Sequence, residues 1–174
     1  VCSSDLHSTF FAAAFGLVPA HQLAAAGDFL AGKGMACSVY AAQFLLEALF
    51  RCGRGDAAVD LILSEGPAGW LAMLKAGATA TFEAWNEKAK PNMTKAHPWG
   101  SAAGNQIVRG IFGLRPTQPG WAEFRFDPAP GRIEEAAIIV PTPRGYFHAA
   151  IRKSRSGVEK QLEIKAAPDH NWRG

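Results

Sequence analysis

The sequence predicts an α-then-β chain, with paired helices of the kind that build an α/α toroid or bundle followed by antiparallel β-structure. Two observations carry this reading. Apolar residues recur at helical spacing from about residue 8 to residue 114, with glycine or proline where each run stops. After Arg115-Pro116-Thr117-Gln118-Pro119-Gly120 the spacing changes to strict alternation.

Residues 9–15 and 21–31 are short helical segments separated by Pro19. Ser38 is placed to N-cap a helix carrying Ala41, Leu45, Ala48, Leu49 and Cys52 on one face, with Tyr40 and Phe44 beside them. Apolar residues cover most of that helix, so it should be buried on two sides, with Tyr40 in the core. Gly53 and Gly55 end it, and Asp56 is placed to cap the next, with Val59, Leu61, Ile62 and Leu63. Gly66-Pro67 breaks the chain before a third run with Trp70, Leu71, Met73 and Leu74. The last helix, 102–112, carries Ile107, Val108, Ile111 and Phe112 and stops at Gly113. Helix, short loop, helix is the rhythm of paired helices.

Beyond the proline-rich linker, Ala122, Phe124 and Phe126 alternate with Trp121, Glu123, Arg125 and Asp127. Residues 133–140, 146–153 and 158–166 read as three further strands, the last two joined by a Ser154-Arg155-Ser156-Gly157 hairpin. Trp121, next to the linker, is expected to pack between the helical and β parts. The chain therefore divides into helices over 7–114 and a β-domain over 115–174. Residues 1–6, Val1-Cys2-Ser3-Ser4-Asp5-Leu6, resemble a translated sequencing adapter and are set aside as non-native.

Composition narrows the function classes. Hydrophobic residues make up 48% and charged residues 19%, the balance of a globular chain rather than a disordered one. No apolar run approaches the ~18–20 residues of a membrane span, so no membrane crossing is expected. The net charge of +3 is scattered, without a basic cluster interleaved with aromatics, so nucleic acid is not an expected partner. Cys37 and Cys52 bracket one helix, about four turns apart, too far to pair. No Cys/His spacing fits a zinc site, and no metal or other cofactor is expected.

The chemistry concentrates between Gly77 and Gly113. Thr79-Ala80-Thr81-Phe82-Glu83-Ala84-Trp85-Asn86 lies between two helices, and fourteen residues past Glu83 comes His97-Pro98-Trp99-Gly100-Ser101-Ala102. A carboxylate that can move protons, aromatic rings for apolar sugar faces and short polar groups for hydroxyls are what a sugar site needs. Glu83 is the candidate catalytic carboxylate; Thr81, Trp85, His97 and Trp99 are candidate substrate contacts. Each has a plainer reading: a solvated carboxylate, a capping hydroxyl, a buried histidine, packing aromatics. Glu87, in the charged Glu87-Lys88-Ala89-Lys90 run, reads as solvated surface. Glu83, Trp85 and His97 are expected to line one concave surface.

Several blocks together resemble one family. Gly34-Met35-Ala36-Cys37-Ser38-Val39-Tyr40, Thr81-Phe82-Glu83-Ala84-Trp85, Lys88-Ala89-Lys90-Pro91-Asn92, His97-Pro98-Trp99-Gly100-Ser101, Gly113-Leu114-Arg115-Pro116 and Val140-Pro141-Thr142-Pro143-Arg144-Gly145 are similar to the bacterial α-L-rhamnosidases of glycoside hydrolase family 78. The blocks keep the family's order; Pro98 and Ala103 depart from its usual residues. The resemblance implies an (α/α)6 barrel bearing the active site and a small β-sandwich after it. It also implies an inverting mechanism, with Glu83 as general base and the general acid in an earlier acidic segment that has no counterpart here.

On that resemblance the chain is read as a C-terminal fragment: part of the (α/α)6 toroid followed by an incomplete antiparallel β-sandwich. The missing N-terminal part of the same chain would be its partner, and rhamnose-containing glycosides or polysaccharides its substrates. Two alternatives stay open: another α/α-toroid glycosidase or lyase, and a non-catalytic carbohydrate-binding or structural remnant. Helices evolved to pack against absent neighbours would leave large apolar residues exposed between 8 and 64.

Overall fold

The computed structural model describes residues 5–166; Cys2, His170 and the closing 169–174 run lie outside them. Six α-helices come first: α1 (Leu6–Ala14), α2 (Leu23–Lys33), α3 (Ala42–Arg51), α4 (Gly55–Ile62), α5 (Trp70–Lys75) and α6 (Ala102–Gln106). Five strands follow: β1 (Leu114–Pro116), β2 (Phe124–Phe126), β3 (Glu135–Thr142), β4 (Gly145–Ser154) and β5 (Gly157–Lys165). The α-then-β order expected from periodicity is the order observed.

α1 opens earlier than its apolar pattern indicates because Asp5 caps it, accepting the His7 and Ser8 amides at 2.9 and 3.4 Å. α3 opens later. Ser38 Oγ accepts the Ala41 amide at 3.2 Å, so it caps the turn leading into the helix rather than the helix itself. Ala42, Leu45, Leu46, Ala48 and Leu49 are fully buried along one broad side of α3, while the adjoining Phe44 is only half-buried, so the helix is not buried on two sides. Each buried leucine contributes about 1.5–3 kcal/mol of apolar transfer free energy. Tyr40, expected in the core, sits on the preceding turn off the buried stripe and is 53% exposed. Asp56 does not cap α4. It lies in the first turn, where its charge suits the helix dipole, while Arg54 holds the N-cap position.

α6 does not run to residue 112 as an α-helix. It passes into a π-helical turn, Ile107–Ile111, where the Phe112 amide reaches back to the Ile107 carbonyl at 3.0 Å. Close by, the Glu47 carboxylate of α3, its side chain 14% exposed, accepts from Arg115 at 2.7 Å and Gln106 at 3.2 Å. Arg115 also donates to the Arg109 carbonyl at 2.6 Å, so this cluster joins α3, the π-turn and β1.

The start of the segment read as a linker, Arg115-Pro116, belongs to a strand. β1 pairs antiparallel with β2, Arg115 opposite Arg125, and the second sheet is an antiparallel β3-β4-β5 meander. Ser154 opposite Gly157 closes the expected hairpin. Phe147, Ala149 and Ile151 of β4 face inward and are buried. Trp121, expected to pack between the helical and β parts, has its ring neighbours in the β part. Its ring lies 5.4 Å from Phe147 and 6.3 Å from Phe124, joining the two sheets within the β part.

The expected exposure of large apolar residues is found just after α1 and on the turn before α3. Phe15 is 64% exposed and Leu17 74%. The rings of Phe11, Phe15, Phe44, Tyr40 and Trp99 follow one another at centroid spacings of 5.0–6.4 Å. This aromatic row ends at the loops described next.

Candidate active site

Residues 76–101 link α5 to α6 with no regular element beyond a three-residue 3₁₀ turn, Pro98–Gly100. Pro98 suits the first position of that turn because it has no amide hydrogen to satisfy. Two clasps give this irregular chain its shape. The His97 amide donates to the Thr81 carbonyl at 2.7 Å, and the Thr81 hydroxyl donates to the His97 carbonyl at 2.7 Å. The Glu83 amide donates to the Thr94 carbonyl at 2.9 Å, and the Thr94 amide donates to Glu83 Oε2 at 2.9 Å.

The loops are pinned to the helices by tryptophan. Trp70 Nε1 on α5 donates to the Gly100 carbonyl at 2.7 Å, and Trp85 Nε1 donates to the Cys37 carbonyl at 2.7 Å. The two indoles meet edge to face at 5.1 Å, an arrangement worth about 0.5–1.5 kcal/mol beyond area burial. Burial in this region pushes the Cys37 thiol up to about 11, so it stays a neutral thiol.

Glu83 is the focus of the loop. Its side chain is 13% exposed; Lys90 Nζ bonds Oε1 while the Thr94 amide holds Oε2. The Lys90 hydrogen bond above all, then the Thr94 amide, hold this carboxyl below the usual carboxylate range, with the nearby charges of Lys90 and His97 acting the same way. Partial burial opposes them without reversing the sign. At neutral pH Glu83 is an ionised carboxylate in a fixed orientation. Glu87 pairs with Lys95 at 2.6 Å and is 62% exposed, the solvated surface group expected.

The other candidates fall into two sets. Trp99 joins Glu83: its indole N–H donates to the Glu83 carbonyl at 3.2 Å, its ring lies 4.1 Å from His97, and it is 43% exposed. Among the described residues no hydrogen bond occupies the His97 ring nitrogens. Thr81 sits beneath them, its hydroxyl proton committed to the His97 carbonyl. Trp85 stands apart. It is only 8% exposed, and its outer edge joins Pro67, Phe82, Asn86, Glu87 and Met93 around a groove of about 560 Å³ that Glu83 and His97 do not line. The single concave surface expected for Glu83, Trp85 and His97 is therefore not formed: the loop turns Trp85 inward and Glu83 toward His97.

Sequence reasoning missed Lys90, Thr94 and the exposure of Tyr40, whose ring lies 5.6 Å from Trp99. Lys90 was grouped with the surface charges. The signals available were its place in the Lys88-Ala89-Lys90-Pro91-Asn92 block and its distance of seven residues from Glu83.

The model of the bacterial alpha-L-rhamnosidase 6 hairpin glycosidase domain matches residues 1–111, and that of the bacterial alpha-L-rhamnosidase C-terminal domain matches residues 113–166. The chain belongs to the bacterial α-L-rhamnosidase family. Every candidate site residue falls within the six-hairpin match, and the two matches meet at the turn that ends the π-helix. An alpha-L-rhamnosidase of Alteromonas sp. (strain LOR) is 26% identical over 129 residues, covering 69% of this chain and 14% of that protein.

Two solved structures share the fold. The alpha-L-rhamnosidase of Streptomyces avermitilis, complexed with L-rhamnose, superposes with a TM-score of 0.73 at 19% identity, over 90% of this chain and 17% of that one. The alpha-L-rhamnosidase from Dictyoglumus thermophilum gives 0.75 at 18% identity, over 94% and 20%. The chain thus spans about a fifth or less of the length of these relatives.

Proposed function

We propose that this chain supplies the general base of an inverting glycoside hydrolase that releases terminal α-L-rhamnose from rhamnosides, and that Glu83 is that base. The observation that carries the reading is the state of Glu83: ionised, little exposed, held at both oxygens and set against His97 and Trp99, within a segment matching the rhamnosidase family. An inverting base must be deprotonated before it takes a proton from the attacking water, and the Lys90 and Thr94 contacts ensure that. The general acid, opposed across roughly 6.5–9.5 Å to leave room for that water, belongs to another part of the enzyme.

The remaining candidates take supporting roles. The exposed Trp99 ring covers an apolar sugar face, and the free His97 ring nitrogens bind a hydroxyl. Thr81, its own proton already committed, offers only lone pairs. Trp85 makes no sugar contact in this reading; it anchors the loop through its bond to the Cys37 carbonyl. Rhamnose-containing glycosides or polysaccharides are the substrates.

The test is hydrolysis of an aryl α-L-rhamnoside and an aryl β-D-glucoside by the full-length enzyme carrying this segment, with the first anomer released followed by proton NMR. The rhamnoside should be cleaved in strong preference, giving β-L-rhamnose before mutarotation. Preference for the glucoside, or release of the α anomer first, would overturn the reading.

A further inference from the structure

The ion pair on Glu83 has a partner with no other task in the fold. Lys90 Nζ lies on Glu83 Oε1, and among the described residues it forms no other ion pair or side-chain hydrogen bond. The backbone places it deliberately. Asn86 accepts the Ala89 amide through Oδ1 at 3.0 Å and the Lys90 amide through its carbonyl at 3.2 Å, and its side-chain N–H donates to the Pro67 carbonyl at 3.2 Å. The Met93 amide then closes on the Lys90 carbonyl at 3.1 Å. A tight turn anchored at Pro67 thus delivers the ammonium to one carboxylate oxygen while the Thr94 amide holds the other.

The side-chain exposures are unequal, 13% for Glu83 and 42% for Lys90. The carboxylate is recessed, and the lysine reaches it from the solvent side.

We infer that Lys90 is a positioning residue for the base: it fixes the rotation of the Glu83 carboxylate and keeps it ionised, leaving the remaining lone pairs of the carboxylate for the attacking water. This rests on the reading of Glu83 as base. Two contacts to two different oxygens fix both the side-chain torsion and the plane of the carboxylate. One contact alone would leave the group free to rotate about the bond to it. Small misplacements of a reacting group are costly in rate.

Neighbouring charges offer no substitute. Glu87 and Lys95 neutralise each other, as do Lys75 on α5 and Glu65. Lys88 projects from the same turn into solvent, and His97 faces Glu83 from the 3₁₀ turn without bonding its carboxylate.

Two measurements on Lys90→Met, with Lys90→Arg as the conservative control, decide the matter. The first is a carbon-13 titration of the Glu83 carboxyl in the present chain. The second is the pH profile of kcat/KM in the full-length enzyme. The account expects the Glu83 midpoint to rise in Lys90→Met, the acid limb of the profile to rise with it, and kcat at the optimum to fall about 10–100-fold. Lys90→Arg should restore both midpoints. An unchanged carboxyl midpoint in Lys90→Met overturns the role of Lys90, whatever happens to the rate. A raised carboxyl midpoint with an unmoved acid limb overturns Glu83 as the base, and the positioning role falls with it. Lost activity with both midpoints unmoved marks Lys90 as structural only.

Discussion

Glu83→Gln should lower kcat by about 10²–10⁴-fold in the full-length enzyme while the fold survives. The amide matches the carboxylate in size and still accepts the Thr94 amide, so the clasp that shapes the loop persists. It cannot take a proton from water, and solvent replaces that step only in part. The Lys90 ammonium left behind is already half in water and costs the fold little. Glu87→Gln is the control. That carboxylate lies on the surface against Lys95, and its loss should leave kcat and KM unchanged. Initial rates on one aryl rhamnoside separate the two variants; equal losses would mean that general charge, not Glu83, matters.

The largest effect on stability is expected at the junction of the helical and β parts. Gly113 has φ +62°, and a Cβ there would lie 1.8 Å from the Asp127 carbonyl oxygen, a backbone atom with no room to move. The same carbonyl stretch is held in place by the Asp127 amide, which donates to the Gly113 carbonyl at 3.2 Å, and by the Ala129 amide on the Ile111 carbonyl at 2.9 Å. Gly113→Ala adds left-handed strain to an unrelievable clash, together about 3–5 kcal/mol. Gly53→Ala makes the comparison, since Gly53 has φ +70° but nothing within 4 Å of its Cβ. It should cost only the conformational term, about 1–2 kcal/mol. Urea unfolding midpoints of the two variants read the difference.

Periodicity made α3 and β4 legible because each has a face that must be buried. α3 carries five fully buried apolar residues and β4 alternates Phe147, Ala149 and Ile151 inward, and those rhythms are written directly in the residues. Element starts were less legible, because caps are local choices. Asp5 and Ser38 both accept amides, yet one opens a helix and the other only a turn before one. β1 was hidden because Pro116 at its end and the short pairing with β2 leave no alternation to detect.

At the site, motif order singled out Glu83, His97 and Trp99, and the structure brings these three together. It did not reveal that Trp85, two residues from Glu83, turns into the core, because an irregular loop has no period to assign faces. Nor did it reveal Lys90. An ion pair across a seven-residue turn depends on a hydrogen bond accepted by Asn86 and one donated by Thr94 that no spacing rule encodes.

The central claim is that Glu83 takes the proton from the nucleophile, and chemical rescue tests it most directly. Glu83→Gly in the full-length enzyme removes the base and opens space beside the reacting carbon, while azide, an anion, attacks without needing deprotonation. The account predicts a variant nearly inactive in plain buffer and accelerated by azide, with β-L-rhamnosyl azide accumulating from the α-L-rhamnoside. Hydrolysis at the unmodified rate without azide, or an azide product of retained α configuration, would contradict it.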